Sequence, residues 1–251
     1  MSFCIRCNKS FNTEVNFCTN CGSKIEKEKN NNRNIVDAIL GFYIMIVCYI
    51  AFSHFIYKAY QNSLFTEILL EVIFIGIILT FCFFNLKEIL HLYKLPSIKI
   101  NLYLKYLLIT VFSCLLIYFS VGKLNELIFP DKDLNIFSSY LYLENPLLWS
   151  LFFVAILPPI FEELAFRGYL FNLLLKLTSP KSTIVATAFL FALIHFSFLS
   201  IIWIFPFGLF LGYLRKKHDT LWIPMLVHFT HNFLVVMLDF YFHNKELTEL
   251  L

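Results

Sequence analysis

Three short stretches put proton-moving groups into a chain that is otherwise strongly apolar. ILPPIFEELAFRG (156–168) carries Glu162, Glu163 and Arg167, FLFALIHFSF (189–198) carries His195, and LWIPMLVHFTHNFLVV (221–236) carries His228 and Asn232. A charge at the centre of a membrane-spanning helix costs ~2.5–3.5 kcal/mol on insertion scales, so ionisable residues there are functional suspects by default. On a helix, Glu163 and Arg167 are four positions apart and share a face, so they pair. Glu162 is turned roughly 100° from its neighbour and is left without that partner. One glutamate holds the arginine, and the other is free for work. A carboxylate desolvated among apolar side chains suits a general base acting on water. One glutamate with two histidines is also a zinc ligand set, although no HExxH is present. His228 and Asn232 lie four apart on one face, while His231 points elsewhere.

Depth ties these groups together. Glu162 lies 14 positions from Lys176, His195 lies 14 from Lys181, and His228 and Asn232 lie 11 and 15 from Lys217. At ~1.5 Å per residue, all four sit roughly 16 to 22 Å from those basic markers. Three separate helices therefore place polar groups in one layer, as expected for a shared site.

The elements that must position them are membrane spans. The 251 residues are 59% hydrophobic and 15% charged, with 31 phenylalanines, far more than one soluble core requires. Apolar windows long enough to cross the hydrocarbon fall near 35–57, 64–85, 103–121, 147–177, 182–199, 200–214 and 221–243. The fourth carries Pro158 and Pro159 and reads as one kinked helix or two shorter pieces, so the expected fold is an all-α polytopic transmembrane bundle of seven or eight spans. Seven spans put fifteen Lys and Arg on one side and only Lys58, Lys123, Lys132 and Lys245 on the other. The richer side is expected to be cytoplasmic, with the N-terminus on it and the 122–146 loop outside. No apolar segment with a cleavage site precedes the first span, so no cleaved signal peptide is expected. A net charge of +3 is too small to argue for nucleic acid.

The N-terminus is a separate module. FCIRCN (3–8) recurs as FCTNCG (17–22), so Cys4, Cys7, Cys18 and Cys21 form two CxxC pairs. Four thiolates at that spacing close a tetrahedron around a structural zinc, and Asn8 and Gly22 suit the tight turns because both tolerate positive φ. Disulfides or a redox pair are the alternatives. The reading is a zinc ribbon over 1–23, a charged flexible linker over 24–34, transmembrane helices over 35–145, a catalytic core over 146–243 and a tail over 244–251. Cys48, Cys82 and Cys114 read as packing residues inside spans. Glu67 and Glu71 read as interfacial or helix-pairing groups, with lining of an access path as the alternative, and Asp239 reads as a cap or interfacial charge.

These motifs resemble those of the CPBP family, the membrane proteins that include type II CAAX prenyl endopeptidases and bacteriocin self-immunity (Abi) proteins. EExxxRG is matched by Glu162, Glu163, Arg167 and Gly168, FxxxH by Phe191 and His195, and HxxxN by His228 and Asn232. GLFLGYLRKKHDTLWIPMLVH (208–228) resembles the stretch between the second and third motifs. The resemblance covers roughly 150–235 and implies an all-helical intramembrane glutamic endopeptidase, metal-independent at its site. Glu162 would take a proton from water attacking a peptide carbonyl, and His195 would position that water or protonate the leaving amine. His228 and Asn232 would donate to the developing oxyanion. Glu163 and Arg167 would hold their helix in register, and Gly168 would allow close helix contact. The expected partners are a peptide or membrane-protein substrate, the lipid bilayer and, for the ribbon, a cytosolic protein. Residues 1–23 resemble zinc-ribbon tails on bacterial membrane proteins, so the chain looks bacterial. A non-catalytic immunity or binding protein of the Abi type is the runner-up, and a regulatory protein acting through its ribbon is a third reading.

Overall fold

The computed structural model describes residues 2–4, 6–7, 9–11, 17–23, 29–60, 62–97, 99–128, 135–195 and 201–249. The chain divides into two compact units, Met1–Ile44 and Met45–Leu251.

In the first unit, β1 (Ser2–Phe3) and β2 (Ser10–Phe11) pair antiparallel, Ser2 opposite Phe11 and Phe3 opposite Ser10. The turn at Cys18–Gly22 is closed by the Gly22 N–H donating to the Cys18 carbonyl at 2.8 Å, with Gly22 at φ +69°. That left-handed backbone is where glycine is least strained. The corresponding expectation for Asn8 falls outside the described residues. Of the stretch read as a linker, 24–28 also lies outside them, but α1 (Lys29–Ala59) has already begun at Lys29. The helical part, 29–34, holds four asparagines, which are weak helix formers, so it extends the turn of the apolar span behind it, where propagation is easy once a helix has nucleated, rather than following its own propensity.

The second unit is helical. It contains α2 (Leu64–Phe83), α3 (Leu86–His91) and α4 (Ile100–Ile128), followed by the continuous rod α5 (Pro146–Leu175), then α6 (Pro180–Leu193), α7 (Ile201–His218) and α8 (Trp222–Glu249). Among the described residues, five helices are long and apolar enough to cross a membrane: 32–59, 64–83, 100–124, 146–175 and 222–245. The other two apolar rods are shorter or end in charge: α6 has 14 residues, and α7 closes on Arg215, Lys216, Lys217 and His218. Phe83, Phe84 and Phe112 are 70–76% exposed, which only lipid makes affordable. The protein is thus a multi-pass membrane protein. Cys82 and Cys114 are buried as read, whereas Cys48 is exposed on its helix.

Start signals are local. Ser63 accepts from the Thr66 N–H at 3.2 Å to begin α2, and Ser179 accepts from the Ser182 N–H at 3.2 Å ahead of Pro180, which needs no donor there. α6 and α7 pack backbone to backbone. A Cβ on Gly208 would stand 3.1 Å from the Ala188 Cα, and one on Gly212 would stand 3.2 Å from Ile184, so the two glycines set the approach.

The proline pair does not split α5. Instead, the rod passes through π-helical turns at Leu151–Ile156 and Leu164–Leu170, flanking a regular segment Leu157–Glu163. The first follows from the missing donors. Pro158 and Pro159 have no N–H for carbonyls one turn back, so the ladder shifts by one residue, with Leu157 N–H bonding the Phe152 carbonyl. The Val154 carbonyl can be served by neither the α-helical partner, residue 158, nor the π-helical one, residue 159.

Candidate active site

Glu162 and Glu163 lie on α5 just before its second π turn, and the two carboxylates differ sharply. Glu163 is wholly buried, and its Oε1 accepts from Arg167 Nη1 at 2.8 Å and from His228 Nδ1 at 2.9 Å. The i,i+4 pairing expected from the sequence is present, and α8 adds a second donor to the same oxygen. Arg167, also 0% exposed, extends Nη2 to the Gly208 carbonyl at 3.3 Å and lays its guanidinium 4.3 Å from the centre of the Phe191 ring. Among the described residues, Glu163 Oε2 and Arg167 Nε are buried without a hydrogen-bond partner. Glu162 is turned to the other side and is 18% exposed, with its Oε2 3.9 Å from His228 Nε2. His228 therefore stands between the two glutamates.

Asn232 does something the sequence did not suggest. Its Nδ2 donates to the Val154 carbonyl at 2.8 Å, the group that Pro158 and Pro159 leave unserved. Expected as an oxyanion donor, its amide thus spends one N–H pinning α8 to the π turn ahead of Glu162.

His195 departs from its expected setting. α6 ends at Leu193, so His195 stands beyond the helix, exposed, and 196–200 are outside the described residues. Its Nδ1 lies 2.9 Å from the Phe191 carbonyl, which can only accept, so Nδ1 donates and serves a carbonyl that the helix end would leave open. Among the described residues, His195 makes no hydrogen bond or ion pair with Glu162, His228 or Asn232; the link is the Phe191 ring, 4.9 Å from the His195 ring and 6.0 Å from the His228 ring. His231 turns toward Phe207, with ring centres 4.5 Å apart. Gly168 meets Ile89 of α3, where a Cβ would stand 3.2 Å from its Cδ1.

Two residues escaped the sequence reading. Phe191 entered only as a motif letter, yet it contacts Arg167, His195 and His228. By sequence Arg215 is one cation of a basic loop, but it is 3% exposed and donates to the Arg167 carbonyl at 3.0 Å, to Asn172 Oδ1 at 3.0 Å and to Asp219 Oδ1 at 2.8 Å. The i,i+4 spacing of Arg215 and Asp219 was the available signal.

In the N-terminal unit, Cys4, Cys7, Cys18 and Cys21 bring their sulfurs within 4.8 Å of one another. Sγ pairs stand 3.5 Å apart for Cys4–Cys21 and 3.4 Å for Cys7–Cys18, near the ~3.8 Å edge of a tetrahedron with ~2.3 Å zinc–sulfur bonds. The donor set therefore fits a metal ion. The Ser23 hydroxyl, 3.0 Å from Cys4 Sγ and 3.1 Å from Cys21 Sγ, pulls the Cys4 thiol down to about 6 and lowers Cys21. Burial pushes Cys18 up to about 11.

Residues 144–234 match the family model for type II CAAX prenyl endopeptidase Rce1-like proteins. All six candidate residues of the membrane site fall inside that stretch, and the cysteine cluster and α1 to α4 fall outside it. No curated protein and no solved structure matches the chain.

Proposed function

We propose that the chain is an intramembrane endopeptidase that hydrolyses a peptide bond of a membrane-associated protein or peptide, with Glu162 as the base that activates water. The Rce1-like match supports a protease, and the contrast between the two adjacent glutamates carries the mechanism. Glu163 is tied down by a guanidinium and an imidazole. Glu162 is partly open and, among the described residues, accepts no direct hydrogen bond. A partly desolvated carboxylate without a donor is well suited to take a proton. Arg167, Phe191 and Arg215 hold the frame, and His195, with Nδ1 donating to its own helix, has Nε2 available to meet a substrate.

The four N-terminal cysteines would hold one structural zinc, which would supply folding energy to a unit too small to build a core. The excess of basic residues on one side supports a cytoplasmic N-terminus. A comparison of membrane peptides in cells lacking the protein and in cells carrying Glu162→Gln tests the reading. The same uncleaved species should accumulate in both; a Glu162→Gln strain with the parent's peptide profile would favour the non-catalytic binding reading.

A further inference from the structure

Glu163 and Arg167 do more than hold a helix in register. A carboxylate beside a guanidinium offers only acceptor oxygens, so the 2.9 Å contact from His228 to Glu163 Oε1 requires the hydrogen on Nδ1. A neutral imidazole has one N–H, which leaves Nε2 as a bare acceptor, and Nε2 faces Glu162 Oε2 at 3.9 Å. That separation is too long for a direct hydrogen bond. It matches two legs of ~2.8 Å meeting at about a right angle on one water oxygen.

The geometry points to Glu163, fixed by Arg167, as the positioning residue that locks His228 in the Nδ1–H tautomer, so that Nε2 and the Glu162 carboxylate together accept both hydrogens of the attacking water. The inference rests on the hydrolase reading and reassigns His228 from oxyanion donor to partner of the base. In the step, one O–H bond of water breaks and its proton passes to Glu162, while Nε2 accepts the second O–H and orients the oxygen. The oxygen lone pair forms a bond to the carbonyl carbon, and the C=O π pair moves onto the carbonyl oxygen. As the C–N bond breaks, the proton leaves Glu162 for the amine nitrogen, and an acid and an amine remain. Glu163 supplies no atom to the reaction and keeps its hydrogen bond throughout. A buried carboxylate orienting an imidazole costs no rearrangement during the step, because Arg167 already holds it in place.

The full-length protein, labelled with 15N-histidine and purified in lipid nanodiscs, allows a direct reading. Two-bond proton–nitrogen correlations report which ring nitrogen carries the hydrogen, and His228→Gln identifies the signal among the seven histidines. Neutral His228 should be Nδ1–H by roughly tenfold or more, the bias that a hydrogen bond to a charged acceptor provides. The bias should survive Glu162→Gln and disappear in the double variant Glu163→Leu with Arg167→Met, which removes the acceptor without stranding a charge. A parent protein with His228 mainly Nε2–H overturns the inference even if the double variant does not fold, and a folded double variant that keeps the Nδ1–H form overturns it too. No substrate is needed, so the two readings fail separately. Glu162→Gln with parental activity removes the hydrolase but leaves the tautomer, and an Nε2–H spectrum removes the relay but leaves Glu162 as base.

Discussion

The acids at 162 and 163 and the acids at 67 and 239 are answers to the same problem, a carboxylate kept from water. Glu67 gives one oxygen to the Tyr57 hydroxyl at 2.7 Å and the other to the Tyr142 hydroxyl at 2.5 Å. Asp239 accepts from the Tyr118 hydroxyl and the Ile136 N–H, both at 2.7 Å. In each case neutral donors take both oxygens, and the carboxylate becomes a fastener between elements. At the centre of α5 the donors are concentrated on one oxygen of Glu163, and Glu162 is left open beside an imidazole. A saturated buried acid fixes structure, whereas an unsaturated one retains the capacity to accept a proton.

Breaking that contrast should give graded effects. The largest is expected from Arg167→Met, which strands Glu163 as a buried charge: ~3–5 kcal/mol of stability lost, read from unfolding in micelles, with most of it restored by adding Glu163→Leu. Asn232→Ala leaves the Val154 carbonyl orphaned and should cost ~1–3 kcal/mol in the same measurement. Parent-like stability would show that another donor serves that carbonyl. Glu67→Gln keeps a carbonyl acceptor and should cost on the order of 1 kcal/mol while leaving peptide turnover intact. A folded Glu67→Gln protein without turnover would move Glu67 from fastener to reactant. The smallest effect on the membrane site, none, is expected from replacing Cys4 and Cys7 with serine. Bound zinc, measured by atomic emission, should fall to background while the unfolding midpoint of the helices stays unchanged. In the parent, zinc should be released as the pH falls and protons compete for the thiolates.

Much of this arrangement was legible in the sequence because it depends on local periodicity. The spacing of Glu163 and Arg167 gave their pairing, the 100° step gave the isolation of Glu162, and the CxxC repeat gave the cysteine cluster. What could not be read depends on contacts between distant segments. Pro158 and Pro159 read as a break or kink, but the chain absorbs them in a π turn because Asn232, 78 positions away, supplies the donor that Val154 lacks. The HxxxN spacing alone sets His228 beside Asn232 facing a reacting carbonyl, but the approach of α8 to α5 turns its ring between two glutamates. The apolar run continues past His195 and so reads as one span around it, but hydropathy does not register that α6 stops at Leu193. Arg215 reads as a loop cation in a basic run until the carbonyl of Arg167 is brought against it.

The most direct measurement pairs stability and turnover in purified Glu162→Gln, assayed on the peptide that accumulates in cells. Glu162 has no direct hydrogen bond to lose among the described residues, so the variant's unfolding free energy should stay within ~0.5 kcal/mol of the parent while kcat falls ~10²–10⁴-fold. A folded Glu162→Gln protein that cleaves at the parent's rate would contradict the claim that this carboxylate is the base.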